Sequence, residues 1–356
     1  MPITQSQQAI IAKARSVGGG KLGMALSDEA CAFLVGVIVK DLGLTTKFKE
    51  LPKHLPDFFA HQSLDTLVLP GVDFLPMFER LVRLVPDADT YFSCLAALHK
   101  ARLKYERILQ TQPLPTIDQV GPRGLLQFGS LSPKALTAFL MWRKWIFDID
   151  NRAGQETGYV FEPILAYAIG GVPVSAAKSP VRRQTNKKQG RQIDCVRSDN
   201  KAYEIKIRLT IAASGQGRWR EELDFASDCR ASGYTPVLVV LDPTPNPKLA
   251  ELRKKFLSEQ GEVYIGPDAW KHFDELAGKT MSQFLERYVH EPIEALLKEV
   301  PDVPEQLPQI TFTMKSGELL VKVAGDTLRL KRTPLEEEAA DADELPEDVD
   351  EQVPGP

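Results

Sequence analysis

The stretch Arg191–Arg208 reads RQIDCVRSDNKAYEIKIR and contains an acid, a polar turn and an acid-x-lysine triplet. Apolar and polar residues alternate on both sides of the turn, which predicts two short strands at 192–196 and 202–207. The residues between them, SDNK at 198–201, are typical of a tight turn. The stretch therefore predicts an antiparallel hairpin, and the fold is built outward from it.

The charged residues of this hairpin fall at positions that bring them together. Side chains alternate in direction along a strand, so Glu204 and Lys206 lie on one face. Directly opposed residues of a hairpin approach within about 5 Å, so Asp194 is expected beside both. The hairpin therefore predicts one patch with two carboxylates and an ammonium, although a salt-bridged hairpin that faces solvent would show the same triplet.

The segments that flank the hairpin favour a sheet covered by helices. Before it, 156–171 reads as a helix that ends at a glycine pair, with Glu162 directly before Pro163. After it, 218–233 reads as a second helix, and Tyr234–Asp242 contains five consecutive apolar residues typical of a buried strand. We therefore predict an α/β (α+β) fold with a central mixed β-sheet flanked by helices.

The rest of the chain divides into three further parts. Residues 1–150 are predicted to be mostly helical, with a proline-rich loop at 112–130. Residues 301–333 alternate apolar and polar side chains around two glycine turns, which predicts a β-meander appendage. Residues 334–356 contain ten acids and no base, and we predict that they are disordered. The hairpin and its neighbours then form a core domain at 151–300.

Charge is unevenly distributed along the chain. The 356 residues carry a net charge of −4, which becomes +6 without the acidic C-terminal part. Between Lys178 and Arg220 there are twelve lysines or arginines and three acids, a balance of +9 around the hairpin. A basic field of this kind suits a polyanion such as nucleic acid.

Other functional classes find little support in the residue types. The four cysteines form no CxxC pair and the five histidines no HExxH motif, so neither a zinc site nor a disulfide framework is indicated. No run of eighteen apolar residues occurs and the N-terminus lacks a signal-peptide core, so we expect a cytoplasmic protein without a membrane span. The GGGK run at 18–21 is followed by Leu22 instead of Ser or Thr, which argues against a nucleotide cofactor.

The predicted patch has the residue types that phosphodiester hydrolysis needs. This reaction requires an activated water and stabilisation of charge on the phosphate, and Mg²⁺ supplies both through oxygen ligands. Asp194 and Glu204 are the expected ligands, together with the main-chain carbonyl of Ile205. Lys206 would hold the attacking water or offset charge on the phosphate. Glu162 is either a third carboxylate of this site or a first-turn charge that complements a helix dipole.

The order of these residues resembles a known nuclease superfamily. Glu162 on a helix, then Asp194, then the triplet Glu204–Lys206 look like the PD-(D/E)XK motif, although Ile193 stands where that superfamily often has proline. The run EIKIRLTIAASGQGRWREELDFASDCRASGYTPVLVVLDPTP is similar to type II restriction endonucleases of the ApaLI-like branch. The resemblance covers about residues 155–245.

This resemblance implies a restriction-endonuclease-like core and a definite activity. The activity is Mg²⁺-dependent, sequence-specific hydrolysis of double-stranded DNA that leaves 5′-phosphate and 3′-hydroxyl ends. A homodimer is also implied, since a two-fold enzyme matches a palindromic site and places one active site on each strand. Some enzymes of this superfamily take one carboxylate from the helix after the lysine, so Glu221 or Glu222 remains an alternative to Glu204.

Basic residues around the patch are candidate DNA contacts. Those between the predicted acidic helix and the hairpin are expected to meet phosphates. Those beside Trp219 could instead read guanine edges, because an arginine fork pairs bidentately with guanine. The whole set comprises Lys178, Arg182, Arg183, Lys187, Lys188, Arg191, Arg208, Arg218 and Arg220.

Two other functions fit the same residues. A repair or recombination nuclease would use the same site but would recognise DNA structure instead of sequence. A non-catalytic DNA-binding protein would use the basic segment alone, with the acids only balancing its charge. Mg²⁺-dependent cleavage of plasmid DNA into discrete bands would distinguish a sequence-specific restriction endonuclease from these two alternatives.

Overall fold

The computed structural model describes residues 3–17, 22–60, 62–157, 161–206, 216–245, 247–299 and 304–333. The α-helices are α1 (Gln5–Arg15), α2 (Asp28–Asp41), α3 (Phe74–Leu84), α4 (Ala88–Thr111), α5 (Ile117–Gly124), α6 (Pro133–Thr157), α7 (Phe161–Ala168), α8 (Gln216–Ala231), α9 (Pro247–Ser258), α10 (Pro267–Leu285) and α11 (Glu291–Lys298). The strands are β1 (Val172–Val174), β2 (Ile193–Val196), β3 (Lys201–Lys206), β4 (Thr235–Val240), β5 (Glu262–Ile265), β6 (Ile310–Lys315), β7 (Glu318–Val323) and β8 (Asp326–Lys331). The predicted α+β class is therefore confirmed.

A five-stranded mixed sheet in the order β1-β2-β3-β4-β5 forms the centre of the fold. Its first three strands are antiparallel, and β3, β4 and β5 run parallel. Helix α8 connects β3 to β4 and α9 connects β4 to β5, as parallel neighbours require. The predicted mixed sheet is confirmed, while the edge strand β1 was not predicted because its three residues are too few to show an alternating pattern.

The hairpin of β2 and β3 forms where the alternation predicts it. Strands β2 and β3 pair with Cys195 opposite Tyr203 and Val196 opposite Ala202. The chain reverses through Asn200, whose φ of 60° lies in the left-handed region that asparagine tolerates better than most residues.

Both faces of the sheet are covered, as continuous apolar strands require. Tyr203 and Ile205 of β3 join a large core that also contains residues of α2, α4, α7 and α10. Ala202, Leu238 and Val240 point to the other face, where they pack with α8 and α9. The hairpin therefore lies between two helical layers.

The N-terminal helices share their interior with the sheet. A single cluster of buried apolar residues includes side chains from Ile10 in α1 to Val289 after α10. Within it, the buried Asp41 of α2 accepts a hydrogen bond from the Tyr91 hydroxyl of α4 at 3.0 Å and pairs with Arg287 at 3.1 Å. The regions 1–150 and 151–300, which sequence composition separates, are therefore packed around one core.

One local prediction is wrong, and the start of another element is shifted. Part of the predicted loop at 112–130 is helix α5, which begins after Thr116, where the Thr116 N–H donates to the Gln119 side chain at 3.0 Å. The helix predicted at 156–171 is present as α7, which begins at Phe161, after α6 has ended at Thr157. Pro163 falls in the first turn of α7, where its missing N–H costs no hydrogen bond.

The C-terminal strands β6, β7 and β8 form the predicted antiparallel meander. Its inner face packs on α4 and α6, with the Phe312 ring stacked on Trp142 at 4.9 Å and with Leu319 and Leu330 fully buried. The acidic segment 334–356 lies outside the described residues. Across the part of the chain that the structure describes, we find no helix with the length and apolarity needed to cross a membrane.

Candidate active site

Asp194 and Glu204 meet across the hairpin, as their spacing predicts. Asp194 and Glu204 lie one residue beyond the paired Cys195 and Tyr203, and the two carboxylates are electrostatic neighbours. The main-chain N–H of Ile205 donates to Asp194 Oδ2 at 2.8 Å. This hydrogen bond fixes the orientation of the carboxylate relative to the end of β3.

Lys206 lies between two carboxylates. Its Nζ is 2.9 Å from Glu204 Oε1 and 3.7 Å from Glu222 Oε1. Burial disfavours the ammonium, but the attraction of Glu204, Glu222 and Asp194 outweighs this effect and raises the pKa of Lys206. Lys206 is therefore held as a cation at the centre of the acidic cluster.

Glu162, the second residue of α7, belongs to the same cluster. Its Oε2 atom is buried and has no hydrogen-bond partner among the described residues. Burial raises the pKa of Glu162, while Lys206 opposes this rise and Glu204 adds to it. Glu162 is therefore a buried helix-start carboxylate within electrostatic reach of Lys206 and Glu204.

The cluster carries more negative than positive charge. Burial raises the pKa of Asp194 well above its usual range, and the nearby Glu204 and Glu162 carboxylates add to this rise. A divalent cation would relieve that repulsion, and the donors here are all oxygen atoms, which a hard cation prefers. No group of three or more His, Cys, Asp or Glu is arranged to hold a metal ion within the described residues. Mg²⁺ is commonly held by one or two carboxylates with several bound waters, and Asp194 and Glu204 are donors of that type.

The two glutamates at the start of α8 have different surroundings. Glu222 turns toward Lys206, and its Oε2 atom is buried without a hydrogen-bond partner in the described part of the chain. Glu221 is half exposed and pairs with Arg183 NH1 at 2.8 Å. Of the two alternatives to Glu204 that the sequence left open, the structure brings only Glu222 to the cluster.

A basic loop at 175–192 connects β1 to β2. Its base is closed by a bridge between Arg182 and Gly190 and by the Arg191 N–H, which donates to the Val181 carbonyl at 3.0 Å. A Cβ atom on Gly190 would overlap the Ala176 carbonyl oxygen, so glycine is required at this crossing. The loop leaves Arg182, Lys187 and Lys188 exposed.

The predicted DNA contacts that the structure describes are paired, exposed or buried. Arg183 is half-buried and already paired with Glu221. Arg208 lies outside the described residues, and the side chain of Arg218 is also outside them. The exposed members are Lys178, Arg182, Lys187, Lys188 and Arg220.

Arg191 is the member of the set that the structure places in the interior. Its guanidinium pairs with Asp228 Oδ2 at 2.7 Å, with only 9% and 3% of the two side chains exposed. It also donates to the Glu221 carbonyl at 2.9 Å, and Asp228 accepts from the Gln184 N–H at 2.8 Å. Arg191 therefore ties the basic loop to α8, and we remove it from the candidate phosphate contacts.

Asp228 was not recognised from the sequence. The sequence does contain a signal, because Asp228 is the one acid in the otherwise uncharged run Phe225–Cys229, whose apolar residues are buried. A carboxylate buried in such a run needs a cation as partner. The four cysteines, by contrast, are free and buried.

Comparison with known proteins identifies the family of the chain. The family model for ApaLI-like restriction endonucleases matches residues 64–290, a range that contains every member of the acidic cluster. The type II restriction enzyme ApaLI of Acetobacter pasteurianus is 45% identical over 285 residues, which cover 76% of each chain. No solved structure matches the chain. With a family match over most of its length and a relative this similar, the chain belongs to the ApaLI-like restriction endonucleases.

Proposed function

We propose that this restriction endonuclease hydrolyses double-stranded DNA at a specific sequence with Mg²⁺, through a PD-(D/E)XK site. It acts in the cytoplasm as a homodimer and leaves 5′-phosphate and 3′-hydroxyl ends. The observation that carries the proposal is the cluster at the end of β3, where the oriented Asp194 meets Glu204 and Lys206. The name of its relative, a type II restriction enzyme, supports the sequence specificity.

The proposed metal ligands are the oxygen atoms gathered at the end of the hairpin. They are the carboxylates of Asp194 and Glu204 and the carbonyl of Ile205, with Glu162 as a further ligand or as the residue that orients a bound water. When bound, Mg²⁺ supplies a water of lowered pKa and stabilises charge on the phosphate. The unpartnered Oε2 of Glu162 supports this assignment, because a buried carboxylate oxygen normally has a partner.

The remaining residues of the site position groups around the phosphodiester. The Ile205 N–H holds Asp194, and the Glu204 and Glu222 carboxylates hold the Lys206 ammonium. Lys206 then donates to the attacking water or to a phosphate oxygen, where a positive charge offsets charge that develops during the reaction. The exposed basic residues of the loop contact the DNA backbone and fix its register.

The test is cleavage of a supercoiled plasmid by the wild type and by two site variants. The wild type is expected to yield discrete linear fragments with Mg²⁺ and none with EDTA. Asp194→Asn and Lys206→Met are expected to lower the single-turnover rate by about 1,000-fold or more, by loss of a metal ligand and of charge stabilisation. Both variants should still retard DNA in a gel-shift assay.

Matched controls lie on the same hairpin. Asp199→Asn changes an exposed turn acid, and Lys201→Met changes the lysine at the other end of β3, which pairs with Glu262 at 2.7 Å. Both should keep near-wild-type rates. Wild-type turnover by Asp194→Asn would exclude the site, and a smear of products would favour a structure-specific nuclease. Direct religation of the fragments by DNA ligase tests the proposed end chemistry.

A further inference from the structure

Helix α6 presents an unusual stripe of side chains to solvent. Phe139, Arg143, Ile146 and Asp150 follow one another at spacings of four, three and four, which places them along one side of the helix. All four are exposed. A helix on a protein surface normally turns its large apolar residues inward. Here the Arg143 guanidinium lies over the Phe139 ring at 5.8 Å, and about half of the Phe139 and Ile146 side chains stays exposed.

The apolar surface continues from α6 onto the segment that follows α5. Phe147 of α6 and Leu126 line the same cavity of about 490 Å³ between the two helices. Leu125 and Phe128, which flank Leu126 in the sequence, are also exposed. We call the surface formed by Leu125, Leu126, Phe128, Phe139, Ile146 and Phe147 the α6 face.

The area of the α6 face is close to what one side of a stable dimer requires. Its six apolar side chains are between 47% and 88% exposed. With roughly 180 Å² for a fully exposed side chain of this size, they present about 700 Å². A standard interface buries about 800 Å² per partner, a value that Arg143 and Asp150 help to reach. Monomeric proteins rarely leave a patch of this size uncovered.

We propose that a second copy of this chain docks on the α6 face, with the two α6 helices antiparallel about a two-fold axis between Ile146 and Phe147. In an isologous contact the same surface meets itself. An axis at this position sets Arg143 opposite Asp150 of the second copy, and the same pair forms again on the other side of the axis. The stripe is therefore complementary in charge to the same stripe on the second copy. DNA would fit this face poorly, because it is mostly apolar and Asp150 is exposed on it.

This inference rests on the proposed function, which includes a homodimer, and it names the surface that forms it. Sedimentation velocity without DNA tests it on the full chain. The wild type is expected to be a dimer at micromolar concentration, and Ile146→Glu is expected to raise the dimer dissociation constant at least 100-fold. The control Leu257→Glu, at an exposed leucine of α9, should leave the dimer intact. Circular dichroism and thermal unfolding establish that each variant is folded.

Charge exchange gives a second and more specific test. Arg143→Glu and Asp150→Arg should each weaken the dimer, because each sets like charges against each other twice. The double variant, or an equimolar mixture of the two single variants, should restore a dimer of wild-type affinity. A monomeric wild type, or dimers unaffected by all these changes, would overturn the α6 interface. Plasmid cleavage with Mg²⁺ is scored separately, so loss of the interface and loss of the nuclease proposal remain distinguishable.

Discussion

Glu221 and Glu222 are neighbours in sequence with opposite surroundings, and this difference gives a sharp prediction. Glu222 lies 3.7 Å from the Lys206 ammonium, whereas Glu221 pairs with Arg183 outside the cluster. Glu222→Gln should lower the single-turnover cleavage rate about 10- to 100-fold, because groups that orient an active site typically have effects of that size. Glu221→Gln, the matched control, should stay within about threefold of the wild type. The reverse ranking would contradict the assignment.

His99 should make the stability of the protein depend on pH. Burial, helped by Arg102, lowers the pKa of His99 to about 4, and its Nδ1 atom has no hydrogen-bond partner in the described residues. The folded pKa is below the unfolded one, so the unfolded state binds more protons between pH 6.5 and 4, and stability is lost as the pH falls through this window. His99 alone should cost about 2 kcal/mol between pH 7.5 and pH 5.

Urea unfolding of His99→Leu at both pH values checks this prediction. The variant should lose less stability on acidification than the wild type does, and the difference should be near the amount assigned to His99. His54→Leu, at an exposed histidine, serves as the control and should keep the wild-type dependence. Equal losses in all three proteins would show that His99 is protonated in the folded state.

At the scale of elements, the pair Arg191 and Asp228 connects the basic loop to α8. Removal of one partner leaves an uncompensated buried charge, so Asp228→Ala should cost about 3–5 kcal/mol in the free energy of unfolding. Arg191→Met with Asp228→Leu removes both charges and should recover most of this loss. Urea unfolding measures both changes, and additive losses in the double variant would count against the proposed pairing.

Helices and strands could be predicted from the sequence where the local residue pattern and the contacts of the folded chain favour the same element. Asp194 and Glu204 could be brought together from the sequence because strand alternation and a two-strand register suffice to place them. Arg191 could not be assigned, because its burial depends on Asp228, 37 residues away on a helix that follows a different strand. The edge strand β1 and helix α5 were missed for a related reason, since proline and short length mask their local patterns.

At the scale of the whole molecule, the basic loop should dominate salt dependence of DNA binding. Lys187→Ala with Lys188→Ala removes two exposed charges from the loop. Each lost phosphate contact lowers the slope of log K against log salt by about 0.9, so the double variant should lose about 2 units without a change in preferred sequence. Lys315→Ala with Lys322→Ala, on the C-terminal meander, is the charge-matched control. An unchanged slope in the loop variant would place the phosphate contacts elsewhere.

The continuous core from Ile10 to Val289 has a practical consequence for engineering. Because Asp41 of α2 is held by groups of both α4 and the turn after α10, a fragment that carries only the hairpin and its crossover helices would expose a broad apolar surface. Such a fragment should aggregate instead of cutting. The cleavage chemistry of this enzyme cannot be cut out as a module and fused to a foreign DNA-binding domain, so any change of target must be made within the intact chain.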